Sequence, residues 1–220
     1  MNLVDVNDYL ANVAQVARKC PTLTLRHAYM RAYREWAQQT QWLRTTIPGA
    51  TVANIAQYSL GNDPNLDIIG IAAMTGSQTI PPSPAPNTWA ISAGDSGSWN
   101  PNFQPQQPQV YTYVPEAQFA LFPTPDKVYQ LGITVIVIPK EAAVSVPESP
   151  LIKYSNDIEA GALEYLLELP GMPWTNPMMA LKKGAEFRSG ISNGKAEVQR
   201  QFNTGATRAR PRPFAIGAWR

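Results

Sequence analysis

Two helix-breaking signals lie back to back between residues 169 and 177, in the stretch LPGMPWTNP. A residue before proline disfavours helical backbone angles, so a helix that reaches Leu169 ends there. Thr175 is a suitable N-cap for the next helix, because Pro177 then falls in the first turn, where a missing N–H costs little. We therefore predict a rigid corner between two antiparallel helices. Its residues are Pro170, Gly171, Pro173 and Trp174.

Apolar residues recur at helical spacing towards both ends of the chain. This spacing predicts a first helix over residues 4–18 and a second over residues 24–39. A third helix is expected to start at Asn156, which with Glu159 resembles a capping box. A fourth is expected to run from Thr175 to about residue 201. Bulky aromatic residues should pack the second helix and its end into a core; they are Tyr29, Tyr33, Trp36 and Trp42.

Residues 46–140 lack helical spacing and instead contain short apolar runs separated by proline, glycine and asparagine, as in strands and turns. The runs are TVANIAQYSL, LDIIGIAAM, TWAIS, QVYTYV, QFALF and VYQLGITVIVI. The last two flank the loop PTPDK and predict a β-hairpin with its tip at residues 122–127. A proline-rich loop is expected at residues 95–109. Both loops are expected to face a partner or a neighbouring copy, and an exposed insertion without a role is the alternative.

Together these patterns predict an α+β fold. Both chain ends would form a four-helix bundle, with a β-rich insertion between helices two and three and an extended C-terminal arm. The expected segments are a helical hairpin over 1–45, the insertion over 46–150, a second helical hairpin over 151–202 and the arm over 203–220.

Composition narrows the classes of function. Charged residues make up 15% of the chain and the net charge is +2, which is too small to indicate nucleic-acid binding by itself. A single cysteine, Cys20, and a single histidine, His27, exclude a zinc site built from several thiolates. Neither a phosphate-binding glycine loop nor a Ser–His–Asp order is present. We therefore predict no catalytic residue, no metal, no cofactor and no enzymatic activity.

Targeting signals are likewise missing from the sequence. No run approaches the roughly 20 apolar residues that a membrane helix needs, and the first residues do not form a signal peptide. We expect a protein that is made and kept in a reducing cytoplasm and does not bind a membrane.

The sequence around the corner resembles the C-terminal helical hairpin of head-to-tail adaptor proteins of short-tailed bacteriophages, the tail tubular protein A type. The shared pattern is a Gly-Ala-Leu helix, a Pro-Gly-x-Pro-Trp corner and a following helix with Phe and a small residue. These are Gly161, Ala162, Leu163, Pro170, Gly171, Pro173, Trp174, Phe187 and Gly190. The stretches PTLTLRHAYMRAYREWAQQTQWLR and FALFPTPDKVYQLGITVIVIPKEA are similar to the family as well, whereas residues 60–110 match no part of its pattern.

The resemblance implies a structural protein of the virion, assembled in the host cytoplasm and located at the head–tail interface. It implies a dodecameric ring of this chain between the portal protein and the tail nozzle protein. Viral DNA would pass through the channel of the ring without sequence-specific contact.

The C-terminal arm is the most distinctive functional segment. It carries arginines and no acidic residue, its prolines favour an extended path, and its apolar residues have no core of their own. Arginine and aromatic residues are typical interface anchors, so we expect the arm to dock on the portal. The docking residues would be Arg208, Arg210, Pro211, Arg212, Pro213, Phe214, Ile216, Trp219 and Arg220.

Three other interpretations of the arm remain open. It could be a disordered tail, or it could fold back on its own subunit. Alternatively, the chain is a nucleic-acid-binding protein whose basic tail neutralises phosphates in a salt-sensitive, sequence-independent way.

Three glycines weaken the fourth helix, by about 1 kcal/mol each relative to alanine at an exposed position. They are Gly184, Gly190 and Gly194. Close approach of a neighbouring subunit's helix would explain them, since a ring needs a heterologous interface that closes. A bent or frayed helix is the alternative. Acidic residues of the third helix lie largely on its polar face and predict a solvated face or a subunit contact rather than a catalytic pair.

Overall fold

The structure, a computed structural model, describes residues 2–61, 63–79, 86–94, 104–114 and 117–202. Its helices are a 3-10 helix at Val6–Tyr9, α1 (Leu10–Val16), α2 (Thr22–Thr40), α3 (Leu151–Glu168) and α4 (Pro177–Phe202). Its strands are β1 (Leu3–Asp5), β2 (Arg44–Ala50), β3 (Gln57–Ser59), β4 (Leu66–Thr79), β5 (Pro86–Ala93), β6 (Val110–Val114), β7 (Gln118–Phe122), β8 (Gln130–Pro139) and β9 (Ser145–Pro147).

Seven strands form one mixed sheet in the order β2-β8-β4-β5-β6-β7-β3. Neighbouring strands are antiparallel except β5 and β6, which run parallel. The long strand β4 carries two register shifts, between Ile68 and Gly70 and between Ile71 and Ala73, and such bulges bend and twist a strand. A separate two-stranded ribbon joins β1 to β9.

Helices and sheet share one hydrophobic core. Helical spacing on α2 buries Leu25, Ala28, Tyr29, Ala32 and Trp36, as the sequence predicts. The same cluster includes Leu43, the residue before β2, and buried residues of β8. Every residue in the second half of β8 is buried. A strand whose two faces are both covered has a nearly continuous run of apolar residues in its sequence, as β8 does.

The predicted four-helix bundle carrying a β-rich insertion is wrong. Residues 4–18 do not form one helix, because β1 pairs with β9 and the side chain of Asp5 caps a 3-10 turn by accepting from the backbone N–H of Asn7 at 2.9 Å. What remains is α1, too short to be a full bundle member, which buries Leu10 and Val13. The seven-stranded sheet and the helices enclose the same core, so the sheet is a main body of the fold.

The predicted hairpin between the runs QFALF and VYQLGITVIVI is also wrong. These runs form β7 and β8, but β7 lies between β6 and β3, whereas β8 lies between β2 and β4. The connecting loop packs instead on the segment after β2: Asn54 N–H donates to Pro125 O at 2.8 Å, and Thr51 N–H donates to Tyr129 O at 2.9 Å. Strand β2 was not predicted from the sequence. Its Pro48 is tolerated because β2 is an edge strand.

The start of α3 differs from the prediction as well. The helix begins at Leu151, so Asn156 lies inside it and does not act as a cap. The preceding segment contains the strand β9. Near its start α3 is kinked at Tyr154, where φ is −118° and ψ is 17°.

Candidate functional site

The connection between α3 and α4 is the first candidate surface. Leu169 adopts extended backbone angles and ends α3, and Gly171 has φ +74°, a left-handed conformation that favours glycine. The hydroxyl of Thr175 donates to the Leu169 carbonyl and accepts from the N–H of Met172 at 3.1 Å. These two bonds close the corner on itself and hold it in one conformation.

The cap of α4 is one residue later than the sequence predicts. The side-chain oxygen of Asn176 accepts from the backbone N–H of Met179 at 3.1 Å, and the helix begins at Pro177. Thr175 therefore stabilises the corner rather than capping the helix, and Pro177 stands at the first helical position, where proline is favoured.

Exposed apolar side chains cover this corner. Met178 is 79% exposed, Leu181 is 64% exposed and Met172 is 46% exposed. No charged residue occurs between Glu168 and Lys182. We call the exposed side chains of Met172, Met178 and Leu181 the corner patch. Exposed apolar side chains that lie this near one another in the sequence are typical of an interaction site.

Trp174 lies beside the corner patch, packed against the core. Its indole Nε1 is buried and has no hydrogen-bond acceptor among the residues that the structure describes. A buried N–H without an acceptor is costly, so a partner that brings an acceptor to this point would gain from doing so. The sequence identified the corner, but it did not predict that Leu181 would be exposed there rather than buried on the apolar face of the helix.

The three glycines of α4 face other helices of the same chain. The pairs are Gly184 with Glu164, Gly190 with Asp157 and Gly194 with Trp36. At each position a Cβ atom would come too close to the facing side chain, so the absence of a side chain allows α4 to approach α3 and α2. Contact of these glycines with a neighbouring subunit stays a prediction.

A groove of about 690 Å³ runs over the exposed face of α2. Arg31 and Glu35 of α2, Tyr165 of α3 and Glu141 line it. An adjoining groove of about 270 Å³ shares Arg31, Glu35 and Tyr165 with it and extends to Phe187 on α4. We call the two together the α2–α3 groove. The guanidinium carbon of Arg31 stands 4.4 Å from the Tyr165 ring centroid, a cation–π contact.

Three loops meet at one end of the sheet. The segment after β2 bonds to Pro125, and Gln106 N–H donates to Thr124 O at 2.8 Å. Residues 122–127 and the described part of the proline-rich loop, residues 104–109, are therefore neighbours. Val52, Ile55 and Val128 are exposed there, which makes this loop cluster the second candidate surface.

The predicted docking residues of the arm, from Arg208 to Arg220, lie outside the described residues. Within the described ranges, no three His, Cys, Asp or Glu side chains are placed to hold a metal ion. Each helix in those ranges is too short or too polar to cross a membrane.

Comparison with known proteins decides the family. The sequence model of the SU10 adaptor protein family matches residues 3–212, nearly the whole chain. The chain belongs to the SU10 adaptor protein family. As a member of this family of phage adaptors, it is a structural protein of the virion that interacts with other virion components. No curated protein matches the sequence.

The SU10 adaptor match extends the resemblance found in the sequence in two ways. It covers residues 60–110, which contain β4 and β5 and which the resemblance left unmatched. It also includes Arg208, Arg210 and Arg212 of the arm, whereas residues 213–220 lie beyond it. The phage adaptor assignment is thereby confirmed at the level of the family.

Proposed function

We propose that this SU10 adaptor forms a closed ring between the portal and the tail nozzle and continues the channel through which viral DNA passes. The resemblance to tail tubular protein A supports a ring of twelve copies. In such a ring the protein has a mechanical role: it joins two assemblies and leaves the DNA free to move.

One observation carries this proposal: the family match extends over residues 3–212, so the whole fold rather than one motif is that of an adaptor. The surface agrees with this role. The corner patch exposes Met178 and Leu181 in a stretch without charge, and the loop cluster exposes Val128. Tyr154, near the start of α3, packs on Trp36. The corner lies at the opposite end of the α3–α4 hairpin from Tyr154. A connector needs at least two separate docking surfaces, and these two lie on different elements.

The arm supplies the third proposed contact. Phe214, Ile216 and Trp219 would fill apolar pockets of the portal, while its arginines pair with portal carboxylates. Because an extended arm loses conformational entropy when it is ordered, docking should depend on several anchors at once rather than on one residue.

The test is the mass of the protein in solution, alone and mixed with its cognate portal. Full-length protein is compared with a chain truncated after Gly205. We expect the full-length protein to join the portal in a complex with the mass of a closed ring, and the truncated chain to fail to do so. Equal binding of the portal by both forms would mean that the arm is not part of the interface. The proposal of a ring would still stand.

A nucleic-acid control separates the alternative function. Both forms are mixed with random duplex DNA at low and at moderate salt. If neither form binds the portal but the full-length chain binds DNA with a steep salt dependence, the adaptor ring is rejected in favour of phosphate binding by the tail.

A further inference from the structure

The α2–α3 groove carries an excess of negative charge. Its carboxylates are Glu35, Glu141, Glu164 and Glu168. Among the described residues, Glu164 forms an ion pair with Arg188 at 3.0 Å, whereas the other three form none.

The basic residues of the groove offset these carboxylates only in part. Arg34 donates to the Pro139 carbonyl and lies 3.5 Å from Asp67, so its charge is already matched. Arg188 is paired with Glu164. Arg31 lies over the ring of Tyr165. The groove therefore combines an aromatic ring with carboxylates that form no ion pair among the described residues, a chemistry that suits a segment rich in arginine.

The chain itself contains such a segment close to this groove. Lys195 of α4 donates to the side chain of Gln39 at 2.9 Å, so the last turns of α4 lie beside the end of α2. Gln39 lines both the α2–α3 groove and the pocket that Val198 and Gln199 border. The arm thus leaves the described structure within reach of the near end of the groove.

The reach is sufficient for the arginines. Glu35 precedes Gln39 by one helical turn, about 6 Å along α2. Phe202, the last residue of α4, lies about 10 Å beyond Lys195 along the helix. An extended chain covers about 3.3 Å per residue, so the stretch from Phe202 to Arg208 spans about 20 Å, which exceeds the two distances together. Arg208 can therefore arrive at Glu35, and Arg210 and Arg212 can follow along the groove towards Tyr165.

We propose that in the free chain the α2–α3 groove holds the basic half of the chain's own arm, Arg208–Arg212. This contact stores the arm on the subunit that carries it and leaves the apolar residues beyond Arg212 to engage another protein. The proposal concerns the free chain and does not depend on the identity of the arm's final partner.

The occupant is the chain's own arm because the arm is tethered beside the groove. A tether keeps the local concentration of the arm high, so weak ion pairs are enough to dock it. A nucleic acid would meet the carboxylates of the groove with like charge and is disfavoured there.

Limited proteolysis of the full chain tests the proposal. Arg210 and Arg212 are each followed by proline, which trypsin cleaves poorly, so Arg208 is the one good tryptic site between Arg200 and Arg220. The rate at which residues 209–220 are lost is followed by mass. We expect Glu35→Lys to lose them about fivefold faster than the wild type, as befits the loss of a few exposed ion pairs. High salt should act in the same direction.

A control and a second variant keep the test independent of folding defects. Asp8→Lys makes the same charge change at an exposed residue that does not line the groove, and it should leave the rate unchanged. Arg210→Gln together with Arg212→Gln alters only the arm and should raise the rate as Glu35→Lys does. The proposal is overturned if Glu35→Lys and the double arm variant lose residues 209–220 at the same rate as the wild type. Protection that increases with protein concentration also overturns it, because the occupant would then be the arm of a second copy.

Discussion

The ring of Phe187 on α4 occupies the space that a side chain of residue 161 on α3 would fill. A Cβ atom added at Gly161 would stand 2.8 Å from Cδ2 of that ring, well inside van der Waals contact. Both residues are buried. The close approach of α3 and α4 at this point therefore depends on a glycine on one helix and a flat ring on the other.

Gly161→Ala should destabilise the protein. Alanine improves helix propensity by about 1 kcal/mol, but the Phe187 ring must move in a packed core to admit the methyl group. Overpacking of this kind costs about 1–3 kcal/mol, so we expect a net loss. The measurement is the midpoint of urea unfolding followed by circular dichroism.

Gly184→Ala is the matched comparison on α4. The atom in the way is the carboxylate end of Glu164, a flexible side chain that can swing aside. The gain in helix propensity then dominates, and the variant should be at least as stable as the wild type. If the same variant no longer forms a ring, the predicted subunit contact at this helix is supported; normal assembly argues against that contact.

Asp157 should make the protein less stable as pH rises. Burial, and to a smaller extent the nearby Glu186, raises the pKa of Asp157 above its ordinary value. The folded state therefore holds this proton more tightly than the unfolded state, and stability falls as pH rises from about 3.8 through the raised pKa. Asp157→Asn removes this effect. We expect the variant to be more stable than the wild type near pH 7.

The comparison at low pH provides the check on Asp157. At about pH 3.5, just below its ordinary pKa, the wild-type carboxyl is mostly neutral in both states, so most of the stability advantage of Asp157→Asn should be lost there. Urea midpoints of both proteins at the two pH values measure this. An advantage of equal size at both values would mean that charge is not its cause.

Periodicity predicted the parts of the fold that depend on local spacing. The stripe from Leu25 to Trp36 is buried because residues three and four apart share one side of a helix, whatever the rest of the chain does. The corner at Gly171 was equally local, since proline and glycine restrict the backbone by themselves. Most strand segments were found for the same reason.

Pairing of the strands could not be predicted in this way. Nothing in the run QFALF indicates that β7 pairs with β3 and β6 rather than with β8, because any apolar strand can pair with another. The choice depends on long-range contacts such as that between Asn54 and Pro125. Likewise, the α2–α3 groove brings Glu35 and Glu141 together from distant parts of the chain, so no spacing rule reveals it.

Charge placed on the corner patch should block assembly without unfolding the protein. Met178 and Leu181 are largely exposed, so Met178→Asp and Leu181→Asp should change stability by no more than about 0.5 kcal/mol. If the patch contacts another virion component, burying the new carboxylate without a partner is costly and the complex is lost. Sedimentation of each variant with the portal measures this.

Ile152→Asp is the control for the corner patch. Ile152 is 77% exposed on α3, near the opposite end of the hairpin from the corner. It should assemble normally if the corner patch is the docking surface. Loss of assembly in all three variants would indicate a general effect of added negative charge.

Glu197 ties the last turns of α4 to the kinked start of α3, and its loss should loosen them. Its carboxylate forms an ion pair with Lys153 and accepts from the hydroxyl of Tyr154 at 2.6 Å, and these contacts hold the pKa of Glu197 below its usual value. The tie is therefore present at neutral pH and is lost as pH falls through that lowered pKa. Glu197→Gln should speed hydrogen exchange of the amides around residues 195–200 at neutral pH. Glu186→Gln is the matched control, because the ion pair that Glu186 forms with Lys183 lies within α4. If both variants exchange alike over these turns, the link from Glu197 to α3 does not hold the end of α4 in place.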